Sequence, residues 1–359
     1  MLIINNGKNK SYFSNWIRRE IIINKTVLVT GSCGFIGYHL SNLLLSHDWK
    51  VIGLDSLTDY YDVNLKISRL EKLCINSNYL HHKGLIQDIK LLDDIFFRYK
   101  PSIVIHLAAQ AGVRYSINHP SSYLESNLVG TFQILEICRK YNPQHLLIAS
   151  TSSVYGGNQK FPLSESNKTD TPMSFYAATK KSNEVMAHSY SHLFNIPTTV
   201  FRFFTVYGPW GRPDMAIFKF TRNILSNKHI EVYNEGNMER DFTYISDLVK
   251  AIELLIPKKP LLPNQRKDTV RIDSISEIAP FRIVNIGNSI PINLLEFIKE
   301  LEKSLGKKAK MKFLKMQDGD VYKTHSNIDL LMHLTGFKPA TPVSYGIDEF
   351  IKWYKSYYL

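Results

Sequence analysis

Short apolar runs alternate with longer stretches of helical spacing through the first half of the chain. Lys25-Thr-Val-Leu-Val-Thr30 is apolar and β-branched, the pattern of a strand buried on both faces. Tyr38-His-Leu-Ser-Asn-Leu-Leu-Leu45 follows with helical periodicity, and Trp49-Lys-Val-Ile-Gly-Leu-Asp55 predicts a second strand. His82-Lys-Gly-Leu-Ile-Gln-Asp88 predicts a weaker third strand, ending at Asp88-Ile89. Ser102-Ile-Val-Ile-His-Leu-Ala-Ala109 and His145-Leu-Leu-Ile-Ala-Ser150 predict two more, and helical segments, among them residues 126–141, separate these strands. Such alternation implies a parallel sheet covered on both faces, with ligands at the carboxyl ends of its strands. Asp55, Asp88, Ala109 and Thr151 fall at those ends. Further on, Thr198-Thr-Val-Phe-Arg-Phe-Phe-Thr205 predicts another buried strand, and residues 219–226 and 292–305 have helical spacing. Residues 257–280, rich in Pro, Lys and Ser, read as a surface loop, and residues 350–359 as an aromatic, basic segment that packs or lies on the surface.

Composition changes this picture little. At 359 residues, 44% hydrophobic and 21% charged, the chain reads as an ordinary soluble globular protein with room for two domains. A net charge of +12 raises the question of nucleic acid, but the bases are scattered and no nucleic-acid motif is present; a basic field suits an anionic nucleotide equally well. Cys33, Cys74 and Cys138 have neither metal-ligand nor disulfide-framework spacing, so no metal is expected and a reducing cytoplasm fits. No run approaches a membrane span, and residues 1–20 are polar, unlike a secretory signal.

The candidate chemistry begins at Gly31-x-x-Gly34-x-x-Gly37, set between the first strand and the first helix. Glycine there lets backbone amides approach a diphosphate at a helix N-terminus, and the strand–turn–helix context is what a dinucleotide site requires. Asp55 ends the next strand 18 residues after Gly37, where a carboxylate accepts from both ribose hydroxyls and repels a 2′-phosphate; this favours NAD over NADP. Asp88 and Ile89 are expected at the adenine edge, and the small residues after His106 where a cofactor lies against backbone. His106 itself reads as a structural strand residue. Ser174-Phe-Tyr-Ala-Ala-Thr-Lys180 places Tyr176 and Lys180 one helical turn apart on one face. A phenol titrates near pH about 10, and an ammonium held close favours its phenolate, giving a base usable near neutrality. Alone, the pair also fits an exposed helix with no chemistry.

Together these motifs resemble the extended short-chain dehydrogenases/reductases, in particular the NAD-dependent nucleotide-sugar epimerases and, among them, the UDP-glucuronate 4-epimerases. The resemblance runs from about Lys25 to the C-terminus. It rests on Thr30-Gly-Ser-Cys-Gly-Phe-Ile-Gly37, Asp59-Tyr-Tyr-Asp-Val-Asn-Leu65, His106-Leu-Ala-Ala-Gln-Ala-Gly-Val-Arg-Tyr-Ser116, Tyr176-Ala-Ala-Thr-Lys180, Arg202-Phe-Phe-Thr-Val-Tyr-Gly-Pro-Trp-Gly-Arg-Pro-Asp-Met215 and Arg240-Asp-Phe-Thr-Tyr-Ile-Ser-Asp247. It implies an α/β fold: a Rossmann doubly wound parallel sheet with a smaller C-terminal substrate-binding α/β domain. The expected division is an extension at 1–24, an NAD-binding domain at 25–200 and a mainly substrate-binding part at 201–359, with segments returning to the sheet. The family pattern implies Tyr176 as base, Lys180 as its assistant and Thr151 on the preceding strand end. It implies NAD contacts at Gly31, Gly34, Phe35, Ile36, Gly37, Asp55, Asp88, Ile89, Leu107, Ala108, Ala109 and Gln110, besides Tyr176 and Lys180. Arg240 and Asp320 match positions that hold the nucleotide of a UDP-sugar, and relatives pair as homodimers through helices that begin here near Ser126 and Tyr176. Ser56 stands where relatives often carry Asn, and Asp318 where they carry Pro.

Which reaction the resemblance implies turns on Thr151-Ser152-Ser153. Related dehydratases and decarboxylases place an acid just after the catalytic hydroxyl; this chain has none. The hydroxyls of Ser152 and Ser153, with Thr205 and Arg212, are instead expected to hold a sugar carboxylate. The expectation is therefore a 4-epimerase of a UDP-hexuronic acid, suited to polysaccharide synthesis. A UDP-glucose or UDP-GlcNAc-type 4-epimerase, a dehydratase or decarboxylase, and a non-catalytic NAD-binding regulator are the alternatives.

Overall fold

A computed structural model describes residues 25–266, 273–317 and 319–359. The expected extension at 1–24, part of the surface loop at 257–280 and the Asp318 substitution lie outside the described residues. The strands are β1 (Thr26–Thr30), β2 (Lys50–Asp55), β3 (Tyr79–Lys83), β4 (Ile103–His106), β5 (His145–Thr151), β6 (Thr198–Phe203), β7 (Thr205–Tyr207), β8 (His229–Tyr233), β9 (Glu239–Tyr244), β10 (Phe281–Ile286), β11 (Pro291–Asn293) and β12 (Lys310–Leu314). The helices are α1 (Phe35–Ser46), α2 (Val63–Cys74), α3 (Ile89–Tyr99), α4 (Tyr115–Asn118), α5 (Pro120–Tyr123), α6 (Gly130–Tyr141), α7 (Phe175–Phe194), α8 (Ala216–Leu225), α9 (Ile245–Leu255), α10 (Leu294–Leu305), α11 (Asp329–Thr335) and α12 (Val343–Tyr358).

Seven strands form a sheet in the order β10-β6-β5-β4-β1-β2-β3, every neighbouring pair parallel. This is the doubly wound Rossmann order, whose direction reverses between β1 and β4. Successive residues of the inner strands feed opposite cores, because side chains alternate across a strand. Val27 and Val29 pack on the side of α1 and α9, with Leu40, Leu44 and Leu248. Leu28, Val104 and Leu146 face α3 and α6, with Leu92, Ile95 and Ile134. That two-sided burial is why these strands read as continuous apolar runs.

Two expectations shift. The strand expected at 82–88 lies at Tyr79–Lys83, and Asp88 begins α3, its side chain accepting from the Lys90 and Leu91 amides. Asp88 is thus an N-cap, the role in which a carboxylate satisfies otherwise unpaired first-turn donors. The run 198–205 is split: β6 stays in the large sheet, the chain turns at Phe204, and β7 joins a second sheet, β11-β9-β7. A parallel β12–β8 pair completes the smaller region. β6 crosses the division expected at residue 200, and β10 returns from the second half to the edge of the large sheet. Residues 350–359 belong mostly to α12, where Phe350, Ile351 and Tyr354 are buried.

Candidate active site

A cleft of about 450 Å³ opens along the carboxyl ends of the large sheet. Its floor is the turn after β1. Gly31 has φ +72°, and a Cβ there would stand 2.9 Å from the Ala108 nitrogen; a Cβ on Gly37 would stand 2.0 Å from the Gly31 carbonyl oxygen. Both positions therefore require glycine, one for the turn and one for the approach of α1 to it. Helix α1 starts at Gly34 with no side-chain cap and no acid in its first turn, so its leading amides are left for an anion. Asp55 accepts from the Cys33 amide at 3.0 Å and the Leu57 amide at 2.8 Å. Two lone-pair directions remain for ribose hydroxyls. Gly31, Gly34, Phe35, Ile36, Gly37, Asp55, Leu107, Ala108, Ala109 and Gln110 all line the cleft.

Asp88 and Ile89 do not. Both residues are exposed, and Asp88 caps α3 through Oδ1, which accepts from the Lys90 and Leu91 amides. Gly84, Leu85, Ile86 and Gln87 line that end of the cleft instead, because the chain leaves β3 at Gly84, earlier than the apolar run suggested. His106 is structural: it lies between the hydroxyls of Thr30 (2.8 Å) and Thr131 (3.1 Å), and burial, with the nearby Lys180 charge, pushes it down to about 3.

Helix α7 is fastened by its N-cap, Ser174, whose hydroxyl accepts from the Ala177 amide at 3.1 Å. Tyr176 faces the Thr151 side chain at the end of β5. Burial raises the phenol above its ordinary value, while the nearby Thr151 hydroxyl and Arg212 guanidinium pull it down. Lys180 was expected to be the group that lowers the phenol. Its ammonium donates one N–H to the Ala149 carbonyl at 2.9 Å, which leaves two more, and the residue is only 4% exposed. Burial pushes Lys180 down to about 8, against the pull of Glu184.

On the other wall, Thr151 Oγ1 donates to Ser153 Oγ at 3.1 Å and accepts from the Ser153 amide, which tightens the turn through Ser152. Ser152, Ser153, Thr205, Arg212, Arg240 and Asp320 all line the cleft. Arg212 is fixed by Asp214 through Nε at 2.9 Å and Nη2 at 2.6 Å, which leaves Nη1 without a partner in that pair. Tyr60 donates to the same carboxylate at 3.2 Å. Arg240 donates to the Glu239 and Tyr322 carbonyls, and Asp320 pairs with Arg114 at 2.9 Å.

Sequence reasoning missed Tyr60, Lys66 and Arg69. Arg69, fully buried, donates to the Cys33 carbonyl (2.9 Å) and the Tyr61 hydroxyl (2.8 Å) through Nη1, and to the Trp210 carbonyl (2.5 Å) through Nη2. It ties the glycine turn to the loop that carries Arg212. The available signal was spacing: Lys66 and Arg69 sit with Leu65 and Leu73 among the buried positions of α2, where a solvated helix would place apolar groups.

Topology and cleft together define a dinucleotide-binding enzyme on the short-chain dehydrogenase plan. Residues 27–266 match the NAD dependent epimerase/dehydratase family. Protein CapI of Staphylococcus aureus is 49% identical over 332 residues, 92% of this chain and 99% of its own. A probable UDP-glucuronate 4-epimerase of Rhizobium meliloti is 47% identical over 331 residues, covering 92% and 97%. Among solved structures, UDP-glucuronic acid 4-epimerase from Bacillus cereus in complex with UDP-glucuronic acid and NAD superposes with TM-score 0.82 at 32% identity, covering 93% of this chain and 100% of that one. The chain belongs to the NAD dependent epimerase/dehydratase family, with NAD as its cofactor. The uncapped helix end, the glycine turn and Asp55 fit that cofactor.

Proposed function

We propose that the chain is a UDP-glucuronate 4-epimerase, interconverting UDP-glucuronate and UDP-galacturonate. The observation that carries the reading is the wall opposite Tyr176: three consecutive hydroxyl residues, Thr151 to Ser153, with Thr205 and Arg212 in the same cleft and no carboxylate after Thr151. Hydroxyls and a guanidinium suit a sugar carboxylate, whereas elimination would need an added acid–base group. Bound NAD supplies a reversible acceptor for the hydride at C4 of the sugar. Gly31, Gly34, Gly37 and the first amides of α1 would hold its diphosphate, and Asp55 its ribose.

Tyr176 removes the proton from the 4-hydroxyl, directly or through Thr151, and Lys180 keeps positive charge beneath it. The 4-keto sugar turns about its link to the diphosphate, presents its other face, and Tyr176 returns the proton. The reaction leaves no net oxidation. A ketone at C4 beside a carboxylate at C6 is a β-keto acid, which loses carbon dioxide when the breaking bond aligns with the carbonyl π system. Gripping the carboxylate through Ser152, Ser153, Thr205 and Arg212 therefore both recognises the substrate and protects the intermediate. Arg240 and Asp320, which also line the cleft, are assigned to the uridine nucleotide, Arg240 for its diphosphate.

The assembly proposed is a homodimer through α6 and α7, which pack on each other and leave Phe132, Val185 and Leu193 exposed. Among the described residues no helix is long and apolar enough to cross a membrane; the proposed site of action is the cytoplasm, in supplying a uronate for polysaccharide. Incubation of purified protein with UDP-glucuronate, read by NMR, tests the function. UDP-galacturonate is expected as the accumulating product, and a UDP-pentose as main product would overturn the reading.

A further inference from the structure

Helix α7 carries a third polar residue in line with Tyr176 and Lys180. Glu184 lies four residues beyond Lys180, so all three share one helical face. Each meets a different residue of the β5 end. Tyr176 faces the Thr151 side chain, Lys180 donates to the Ala149 carbonyl at 2.9 Å, and the Ser150 hydroxyl donates to Glu184 Oε1 at 2.7 Å. Glu184 is also gripped from β6, where Arg202 is the register partner of Ser150. Arg202 donates to Oε1 through Nε at 2.9 Å and to Oε2 through Nη2 at 2.8 Å, and both side chains are 2% exposed.

A buried ion pair is a costly way to pack a helix on a sheet, since apolar residues of similar volume avoid the desolvation. Its place, one turn below Lys180, gives it a further task. Lys180 touches no carboxylate; its hydrogen bond goes to a neutral carbonyl. The ionisable groups around it are Tyr176 and Glu184 on α7, His106 on β4 and Arg202 on β6, with Lys181 at 3.7 Å from Glu184 Oε2. His106 is held neutral by burial, and Glu184 is the acid that acts on Lys180.

We propose that Glu184, clamped by Arg202, is a positioning residue for the reaction: it locks α7 to β5 and β6 in the register that sets Tyr176 against Thr151, and it supplies the negative charge that keeps Lys180 an ammonium. The inference rests on the reading of Tyr176 and Lys180 as the acting pair. Burial already brings Lys180 down to about 8, so losing the opposing carboxylate takes it further, toward neutral pH.

The test is an NMR titration of the Lys180 ε-carbon in full-length lysine-labelled protein with its cofactor, the signal assigned by Lys180→Arg. Glu184→Gln lowers the Lys180 midpoint by about one pH unit, and kcat on the alkaline side falls about tenfold at unchanged KM. Glu184→Asp, which keeps the charge, restores the midpoint. If Glu184→Gln alone does not fold, because Arg202 is left unpaired, the Glu184→Gln/Arg202→Met double variant leaves neither charge stranded and shifts the midpoint in the same direction by less, because the more distant Arg202 cation leaves with the carboxylate. A folded variant whose Lys180 midpoint stays at the wild-type value, or whose kcat keeps the wild-type pH profile, overturns the proposal. The titration needs no sugar, so it separates this outcome from failure to turn over UDP-glucuronate.

Discussion

A phenol is a useful base only where its surroundings favour the phenolate, and around Tyr176 they divide. Burial opposes ionisation, while Thr151 and Arg212 favour it. The Tyr–Lys spacing was legible in the sequence, but not where the ammonium goes, because a one-turn spacing says nothing about a backbone carbonyl on a neighbouring strand. Tyr176→Phe is expected to lower kcat at least about 100-fold and to leave thermal unfolding within about 1 kcal/mol of wild type, since it removes one hydroxyl and little volume. Thr205→Ala or Ser153→Ala is expected to raise the UDP-pentose fraction of the product, read by NMR, because each loosens the proposed carboxylate grip. Lys180 carries a linkage of definite sign. Its folded-state midpoint near 8 lies below that of an unfolded lysine, so between the two the unfolded state binds more protons and stability rises with pH. Urea unfolding of wild type against Lys180→Met should show the Met variant's advantage shrinking from pH 8 to pH 10.5, by up to about 3 kcal/mol. An advantage independent of pH would contradict the burial assigned to Lys180.

At the scale of elements, the inner strands and α1 announced themselves because burial on both faces removes the alternation that a half-exposed strand shows. β3, at the sheet edge, is only partly covered, and its weaker pattern displaced the reading from Tyr79–Lys83 to residues 82–88. Asp88 is in addition the N-cap of α3, for which an acid just before an amphipathic helix was the available signal. β7 was merged with β6 because nothing local marks where a buried chain changes sheets. Arg69 shows what long-range pairing adds: its carbonyl acceptors at Cys33 and Trp210 are 36 and 141 residues away in the chain. Arg69→Met is expected to destabilise the fold by about 2–3 kcal/mol, through carbonyls left without a charged donor, and to lower the fraction of NAD retained on purification. Denaturation together with cofactor absorbance checks both.

For the whole molecule, the fold places three separate contributions on one edge. The first half supplies the cofactor floor, α7 supplies Tyr176 and Lys180, and the second half supplies Thr205, Arg212, Arg240 and Asp320. The α6–α7 face belongs to the same scale. Phe132→Glu with Val185→Glu is expected to convert a dimer to a monomer in light scattering, and a wild type already monomeric at micromolar concentration would refute that assembly. The central claim is that the hydrogen at C4 of the sugar leaves and returns while Tyr176 handles only the hydroxyl proton. The measurement that tests it is turnover of UDP-glucuronate deuterated at C4, in ordinary water, with the product read by NMR and mass. UDP-galacturonate that keeps the deuterium at C4 is the predicted result; a product with protium at C4, or one lighter by carbon dioxide or water, would contradict the account.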